Sequence, residues 1–447
     1  MKKLFIILLW IIGGSPLMCQ TWQLEWQNCF GGSDEDYASD IASCGNGYLL
    51  AGRTESNDGD ITNSHGGREG WVVRIDNTGN LQWQRPFGGS SDDFWIRIIP
   101  APNNQYYLLG ISNSSNGDID YDPYPLSPDY WIVKTDSSGN ILWSKILGGT
   151  GGEWLTNGVV TTDGGIVAIG YTNSDDGDIS NYYGAYDMWM VKLNAQGEKQ
   201  WDFTLGNEYY DYAWAIIQTS DGGFLVGGTS KFTQGGNLSC NLHGGAEAVV
   251  VKLDSLRNIE WSQCYGGSLD DITNRLIETN DGYVFAGTIW SGDGDVTSYH
   301  GGGDIWVVKI DFDGSIVWQK CLGGTGYETP TNICVESDGS YVVFGVTQSN
   351  DGDVSGNHNI DPTVWDIWVV RLSAGGELVS QQCIGGIGDE QLEFGVVQKG
   401  DGDYVVAGQM NWGPTYDVSC THQSVPLESD YWVFEIKDTA VGLSELP

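Results

Sequence analysis

From about residue 22 to residue 438 the chain alternates short apolar runs with clusters of Gly, Asp, Asn and Ser. A representative stretch reads GGIVAIGYT, then a variable polar loop, then DMWMVKLN, a tight turn and GEKQWDF. Runs of this length, rich in Val, Ile and Trp and bounded by turn residues, predict antiparallel strands. No stretch carries the 3.6-residue periodicity of an amphipathic helix.

The pattern recurs. WQNCFGGS at Trp26 returns as WQRPFGGS at Trp83, WSKILGGT at Trp143, WDFTLGNE at Trp201, WSQCYGGS at Trp261, WQKCLGGT at Trp318 and SQQCIGGI at Ser380. The spacings are 57, 60, 58, 60, 57 and 62 residues. Each unit holds four strand signals, so the chain is expected to be all-β: a single seven-bladed β-propeller of four-stranded antiparallel blades. The last unit ends after its third strand, YWVFEIKD (Tyr431–Asp438). TWQLEWQNCF, ahead of the first GG, supplies the missing one. The N-terminal strand is therefore expected to close the last blade and leave no open edge. Trp71, Trp131, Trp189, Trp306, Trp368 and Trp432 begin third strands and are expected to pack between blades.

The turn between strands three and four reads DNTGNLQW, DSSGNILW and DFDGSIVW. This pattern resembles the tryptophan-docking repeat of quinoprotein propellers. The complete unit, including SNDGDVSGNHNI and DGSYVVFGVT, resembles the repeat of secreted Bacteroidota propeller proteins over residues 22–438. The resemblance implies the propeller fold, and some members carry endoglucanase-like or lectin-like labels. Quinoprotein dehydrogenase activity is not expected, because those enzymes have eight blades and an adjacent Cys–Cys pair, and this chain has seven units and no such pair. A sialidase arginine triad is hard to build from eight Arg, two of which (Arg74 and Arg371) sit at the repeated basic position ending strand three.

Residues 1–19, MKKLFIILLWIIGGSPLMC, have the layout of a secretory signal peptide, with cleavage expected near Cys19–Gln20. A lipidated Cys19 is the weaker alternative, since Met18 is larger than such a site wants. Residues 20–438 form the propeller, and 439–447 are a tail resembling the linker that opens the sorting domain of type IX-exported Bacteroidota proteins. The product is expected to be secreted or held on the outer cell surface, as a monomer, with no transmembrane span.

Composition narrows the partners. The chain of 447 residues has 59 Asp and Glu against 20 Lys and Arg, for a net charge of −39. Such a surface repels the phosphate backbone, which excludes nucleic-acid binding, and repels anionic lipid. Aromatic residues at 12% exclude disorder.

The acids fall in register. The loop before strand one and the loop after strand two share one end of the ring, here the top. Four residues past each GG stands a carboxylate: Asp36, Asp93, Glu153, Asp211, Asp271, Glu328 and Glu390. This ring is a candidate ligand-binding surface for a cation or sugar hydroxyls, or else a set of turn acceptors for backbone N–H groups. The second loop carries Asp58 and Asp60, Asp118, Asp120 and Asp122, Asp176 and Asp178, Asp293 and Asp295, and Asp351 and Asp353. Closely spaced hard oxygens on a Gly turn are candidate Ca²⁺ ligands, without EF-hand spacing. All five His (His65, His243, His300, His358, His422) lie in this loop and are expected to bond a local carboxylate. Tyr37, Phe94, Trp154, Tyr212, Trp290, Trp365 and Trp412 lie near these loops, as sugar-stacking faces or as a seal over the core. Asp40, Arg97, Asn157, Arg275 and Asn332 share one register and are expected to line the channel.

Repeat register also pairs the cysteines. Cys29 with Cys420 and Cys240 with Cys264 are expected disulfides; Cys321 and Cys334 are a candidate third pair, and Cys44 and Cys383 stay unassigned. The uniformity of the units favours an exported non-enzymatic binding, adhesion or scaffold module acting through the acidic, Ca²⁺-competent top face on an extracellular glycan or protein. The alternative is a polysaccharide-acting glycoside hydrolase or a lectin. With 59 acids, sequence does not choose a catalytic pair.

Overall fold

A computed structural model describes residues 22–439 except 120, 125–126, 232–234, 241–242, 359–360, 412–413 and 421–427. The expected leader, nearly all of the expected tail, Asp120, Trp412 and His422 lie outside the described residues. The apolar runs pair in sequence order from the channel outward, giving seven antiparallel sheets. Blade one is Asp36–Ser43, Gly47–Thr54, Glu69–Asp76 and Leu81–Phe87. In blade seven the inner strand is broken into Glu390–Gln391 and Val396–Gly400. Asp403–Met410 and Asp430–Asp438 follow, and the outer strand is Trp22–Phe30. Trp22 faces Asp438 and Phe30 faces Tyr431, so the first and last described strands close the ring as expected.

The core lies between blades. Leu50 and Val73 of blade one pack with Val405 and Val433 of blade seven. The six third-strand Trp are fully buried. Trp71 lies 4.6 Å from Tyr431, and Trp131 stacks 4.2 Å from Trp95. Each such indole stabilises the blade contact by about 4–6 kcal/mol of area burial. Main chain joins the blades too. Asp36 N–H donates to Ser429 O (2.7 Å), Asp93 N–H to Arg68 O (2.8 Å) and Glu328 N–H to Gly303 O (2.6 Å).

The D-x-x-G turn is explained by the outer-strand Trp. Gly79 of blade one has φ 84° and receives the ring of Trp26 from blade seven; Gly197 receives Trp143 in the same way. Blade four has Arg257 at φ 70°, and its guanidinium covers Trp201 at 4.7 Å. Ser380 replaces Trp on the outer strand of blade six for a topological reason. The neighbouring blade seven takes its outer strand from the N-terminus, so it has no turn between strands three and four in which a Trp could dock. A Cβ on Gly79 would sit 2.5 Å from the Trp26 ring, whereas one on Gly222 (φ 85°) would meet nothing within 4 Å. Gly79→Ala is therefore expected to cost about 2–3 kcal/mol and Gly222→Ala about 1 kcal/mol, compared by urea denaturation. Equal losses would remove docking from the account.

Both expected disulfides are present, with Cα separations of 5.8 Å (Cys29–Cys420) and 5.5 Å (Cys240–Cys264). The candidate Cys321–Cys334 pair is corrected: both are free. Cys321 is on the outer strand of blade five and Cys334 on the inner strand of blade six. Opposite sheet edges are separated by three strand spacings, about 14 Å, beyond disulfide reach. Cys44 and Cys383 are free and buried.

Candidate functional site: the top face and the channel

Each of the seven ring carboxylates is the first residue of an inner strand and is fully buried. Its side chain turns back on the GG turn: Gly32 N–H donates to Asp36 (2.7 Å), Gly149 N–H to Glu153 (2.8 Å) and Gly267 N–H to Asp271 (2.8 Å). Hydroxyls at or just past the end of the second strand complete the set. Ser56 donates to Asp36 (3.0 Å), Ser114 to Asp93 (2.7 Å), Thr172 to Glu153 (2.6 Å) and Thr347 to Glu328 (2.7 Å). Asp211 takes the Ser230 hydroxyl, and Glu390 the Gly386 N–H (3.0 Å).

A second acid ring escaped the sequence reading. Glu69, Asp129, Asp187, Glu247, Asp304, Asp366 and Asp430 open the third strands and are also buried. The repeated [DE]-x-W at strand starts was its available signal. Across blade boundaries the two rings meet: the charge of Asp430 acts on Asp36, of Asp187 on Asp211, and of Asp366 on Glu390. Burial is the larger cause and raises these acids, Asp36 and Asp211 to about 7 and Glu390 to about 9. Asp187 and Asp304 rise to about 6, mainly by burial. Asp129 is raised by burial and then by the neighbouring Glu153 carboxyl.

Four His use this second ring. Nδ1 of His65, His243, His300 and His358 lies 2.9, 3.1, 2.8 and 2.7 Å from Glu69, Glu247, Asp304 and Asp366. Nε2 of His243, His300 and His358 faces Asp295, Asp353 and Asp417 of the next blade at 3.7, 3.7 and 3.6 Å. The imidazoles thus clasp neighbouring blades. The hydrogen bond that His358 donates to Asp366 raises its pKa.

The Asp-x-Asp loops pin the GG turns. Asp58 accepts from Ser33 N–H (2.8 Å) and Asp60 from Gly31 N–H (3.2 Å); Asp176, Asp178, Asp293 and Asp295 repeat this on Thr150, Gly148, Ser268 and Gly266. Asp118 takes Gly88 N–H and Asp351 takes Thr325 N–H, whereas Asp353 faces His300. Asp122 instead caps its own loop by accepting Tyr124 N–H (2.7 Å). Among the described residues no group of three or more His, Cys, Asp or Glu is placed to hold a metal ion.

The top face also carries a band of half-buried aromatic rings. Trp154 stacks on Tyr171 (5.3 Å), Tyr171 meets Tyr212 (4.6 Å), and Tyr212 meets Trp214 (6.2 Å). On the far side Trp290 contacts Tyr327 (5.6 Å) and Tyr327 contacts Trp365 (5.2 Å). The gap between the halves is a cleft of about 650 Å³ between blades four and five, lined by Tyr212, Trp214, Leu269, Asp270 and Trp290. Sequence reasoning found Trp154, Tyr212, Trp290 and Trp365. It missed Tyr171, Trp214 and Tyr327, which occupy different repeat registers. Tyr37 instead lies under the Arg53 guanidinium (4.5 Å), and Phe94 packs in the core beside blade three.

Inside the channel, a bulge on each regular inner strand precedes the expected register: the pairing shifts between Ala38 and Asp40, Trp95 and Arg97, and Thr273 and Arg275. Bulges re-aim the side chain that follows. Asp40 accepts from Arg97 Nε (2.7 Å), and Asn157 Oδ1 accepts from Arg97 Nη1 (2.7 Å). Phe394, at the same register in the broken strand of blade seven, lies between Arg97 (4.4 Å) and Arg275 (3.9 Å). Ala215 is the small member of the layer.

No protein-family model matches the chain. Over 221 residues, 45% of this chain, it is 24% identical to the Regulatory protein FlaEY of Caulobacter vibrioides, and it spans 22% of that protein's length. Among solved structures it is similar to the WD40 β-propeller domain of Doa1 (12% identity, covering 93% of this chain and 96% of that one, TM-score 0.45). It is also similar to BBS1N solved in complex with ARL6DN (9%, 94% and 97%, 0.48) and to a DUF4221 member from Bacteroides vulgatus (11%, 93% and 98%, 0.37). The seven-bladed assignment rests on the sheet topology of the chain itself.

Proposed function

We propose that the protein is an exported, non-catalytic binding module whose ligand is a glycan lying along the aromatic arc of the top face. The carrying observation is the cleft between Trp214 and Trp290, flanked by aromatic contacts over blades three and four on one side and blades five and six on the other. Aromatic faces stack on the apolar faces of sugar rings, and Asp270 at the cleft can accept hydroxyl hydrogens. The two disulfides support the oxidising compartment that the leader predicts. Hydrolysis needs two carboxylates flanking the scissile bond. Asp270 is the only acid among the residues lining the cleft, and the ring carboxylates are engaged in turns beneath it, which favours binding over cleavage.

Affinity electrophoresis through gels containing soluble polysaccharides tests the reading. At least one is expected to retard the wild type, and Trp214→Ala and Trp290→Ala are each expected to weaken retention by about tenfold or more. Retardation unchanged in both variants, or release of reducing ends, would overturn it.

A further inference from the structure

Below the Arg97–Phe394–Arg275 layer, away from the top face, the channel holds a cavity of about 170 Å³. Its polar end is formed by the two guanidiniums with the Asn157 and Asn332 side chains, and its walls by Ile217, Ile277 and Ile333. Ala215 leaves the layer open on the blade-four side, where the other regular inner strands carry Asp, Arg or Asn.

Charge at this layer opposes that of the chain. Two of the eight Arg of a protein with net charge −39 meet here. Asp40 neutralises Arg97. Arg275 forms no ion pair among the described residues. It donates to three backbone carbonyls, those of Thr331, Asn274 (2.7 Å) and Glu393 (3.0 Å), and a guanidinium carries five N–H donors. The nearest further acid, Glu393, turns to Ser39 and Tyr37, and burial raises its pKa, which favours its neutral form. Arg275 is pushed down to about 9 by burial and then by Arg97, so it is charged at neutral pH and gains from an anion.

We propose that this cavity binds a small aliphatic carboxylate, its carboxylate held by Arg275 and Arg97 and its chain lying against Ile217, Ile277 and Ile333. Planar guanidiniums match planar carboxylates, and apolar walls favour a short hydrocarbon tail over a hydrated inorganic ion. The volume accommodates about five or six water-sized groups, the size of a four-carbon acid.

The test is calorimetric titration of the full chain with butyrate, with butyramide as the uncharged isostere and with sulfate. Saturable one-to-one butyrate binding is expected, with butyramide and sulfate inert. Arg275→Met should weaken butyrate binding by about tenfold or more. Ala215→Ile keeps both guanidiniums and fills the cavity; it should abolish binding in a folded protein and serves if the Arg275 variant fails to fold. No saturable butyrate binding, equal binding of butyramide, sulfate binding with butyrate inert, or wild-type affinity in folded Ala215→Ile would each overturn the proposal. Trp214 and Trp290 variants leave this cavity intact, so the glycan reading stands or falls separately.

Discussion

Between pH 4 and pH 8 Asp36 and Asp211 by themselves are expected to lower the melting temperature by about 8 °C, most of it before pH 7. The cause is the buried acid rings. Asp36 and Asp211 are raised from 3.8 to about 7 in the folded chain, chiefly by burial. A raised acid binds its proton more tightly folded than unfolded, so its contribution to stability is full below the unfolded value and is lost as pH rises through the folded one. Each shift corresponds to about 4 kcal/mol. With an unfolding entropy near 0.9 kcal/mol/K for about 420 residues, the two together give the stated fall. His358, raised by Asp366, acts in the same direction, since its protonated clasp is lost above its folded pKa. The opposite wing belongs to Asp163 and Asp221, lowered to about 2 with Lys192 and Lys252 as partners. Their contribution is present above 3.8 and lost as pH falls toward 2, so maximum stability is expected near pH 4. Asp36→Asn and Asp211→Asn, which mimic the protonated acid, should raise stability at pH 8 and flatten the profile. Calorimetric melts across the pH range decide it. A profile that rises from pH 4 to pH 8, with both Asn variants destabilised at pH 8, would show that these acids are held ionised.

Loss of the Cys29–Cys420 bridge is the second large expected effect. It joins residues 391 apart, whereas Cys240–Cys264 joins residues 24 apart. In the chain-entropy account, cross-linking the longer loop stabilises by about 6 kcal/mol and the shorter by about 3.5 kcal/mol. Those values correspond to melting shifts of about 7 and 4 °C. The longer bridge also holds the Trp22–Phe30 strand on blade seven, the one ring joint made by strands from opposite ends of the chain. The double variant Cys29→Ser/Cys420→Ser should therefore melt below Cys240→Ser/Cys264→Ser, and limited proteolysis should reach the Trp22–Phe30 strand first. If the two variants melt together, the strand pairing closes the ring without help from the bridge.

The repeated parts were legible because each repeat encodes its own strands. Period, blade count, ring closure and both disulfides follow from register, since equivalent residues in a propeller occupy equivalent places. The role of an equivalent residue is less legible. Asp36 and its six counterparts are visible as a series, but a carboxylate that caps a buried turn and one that faces a ligand occupy the same letter in a repeat. The second ring, from Glu69 to Asp430, went unread because its neighbour Trp dominated the pattern.

Sequence by itself determined what is local and periodic: the all-β architecture, seven blades, the Trp-docking turns and the N-terminal closing strand. Tertiary structure alone decided which side chains meet. The aromatic arc joins Tyr171, Trp214, Trp290 and Tyr327 from four unrelated registers, and a break in the inner strand of blade seven sets Phe394 between Arg97 and Arg275. The physical reason is that strand pairing repeats with the chain, while the top face and the channel are assembled from side chains of different blades, brought together only as the blades pack around the ring.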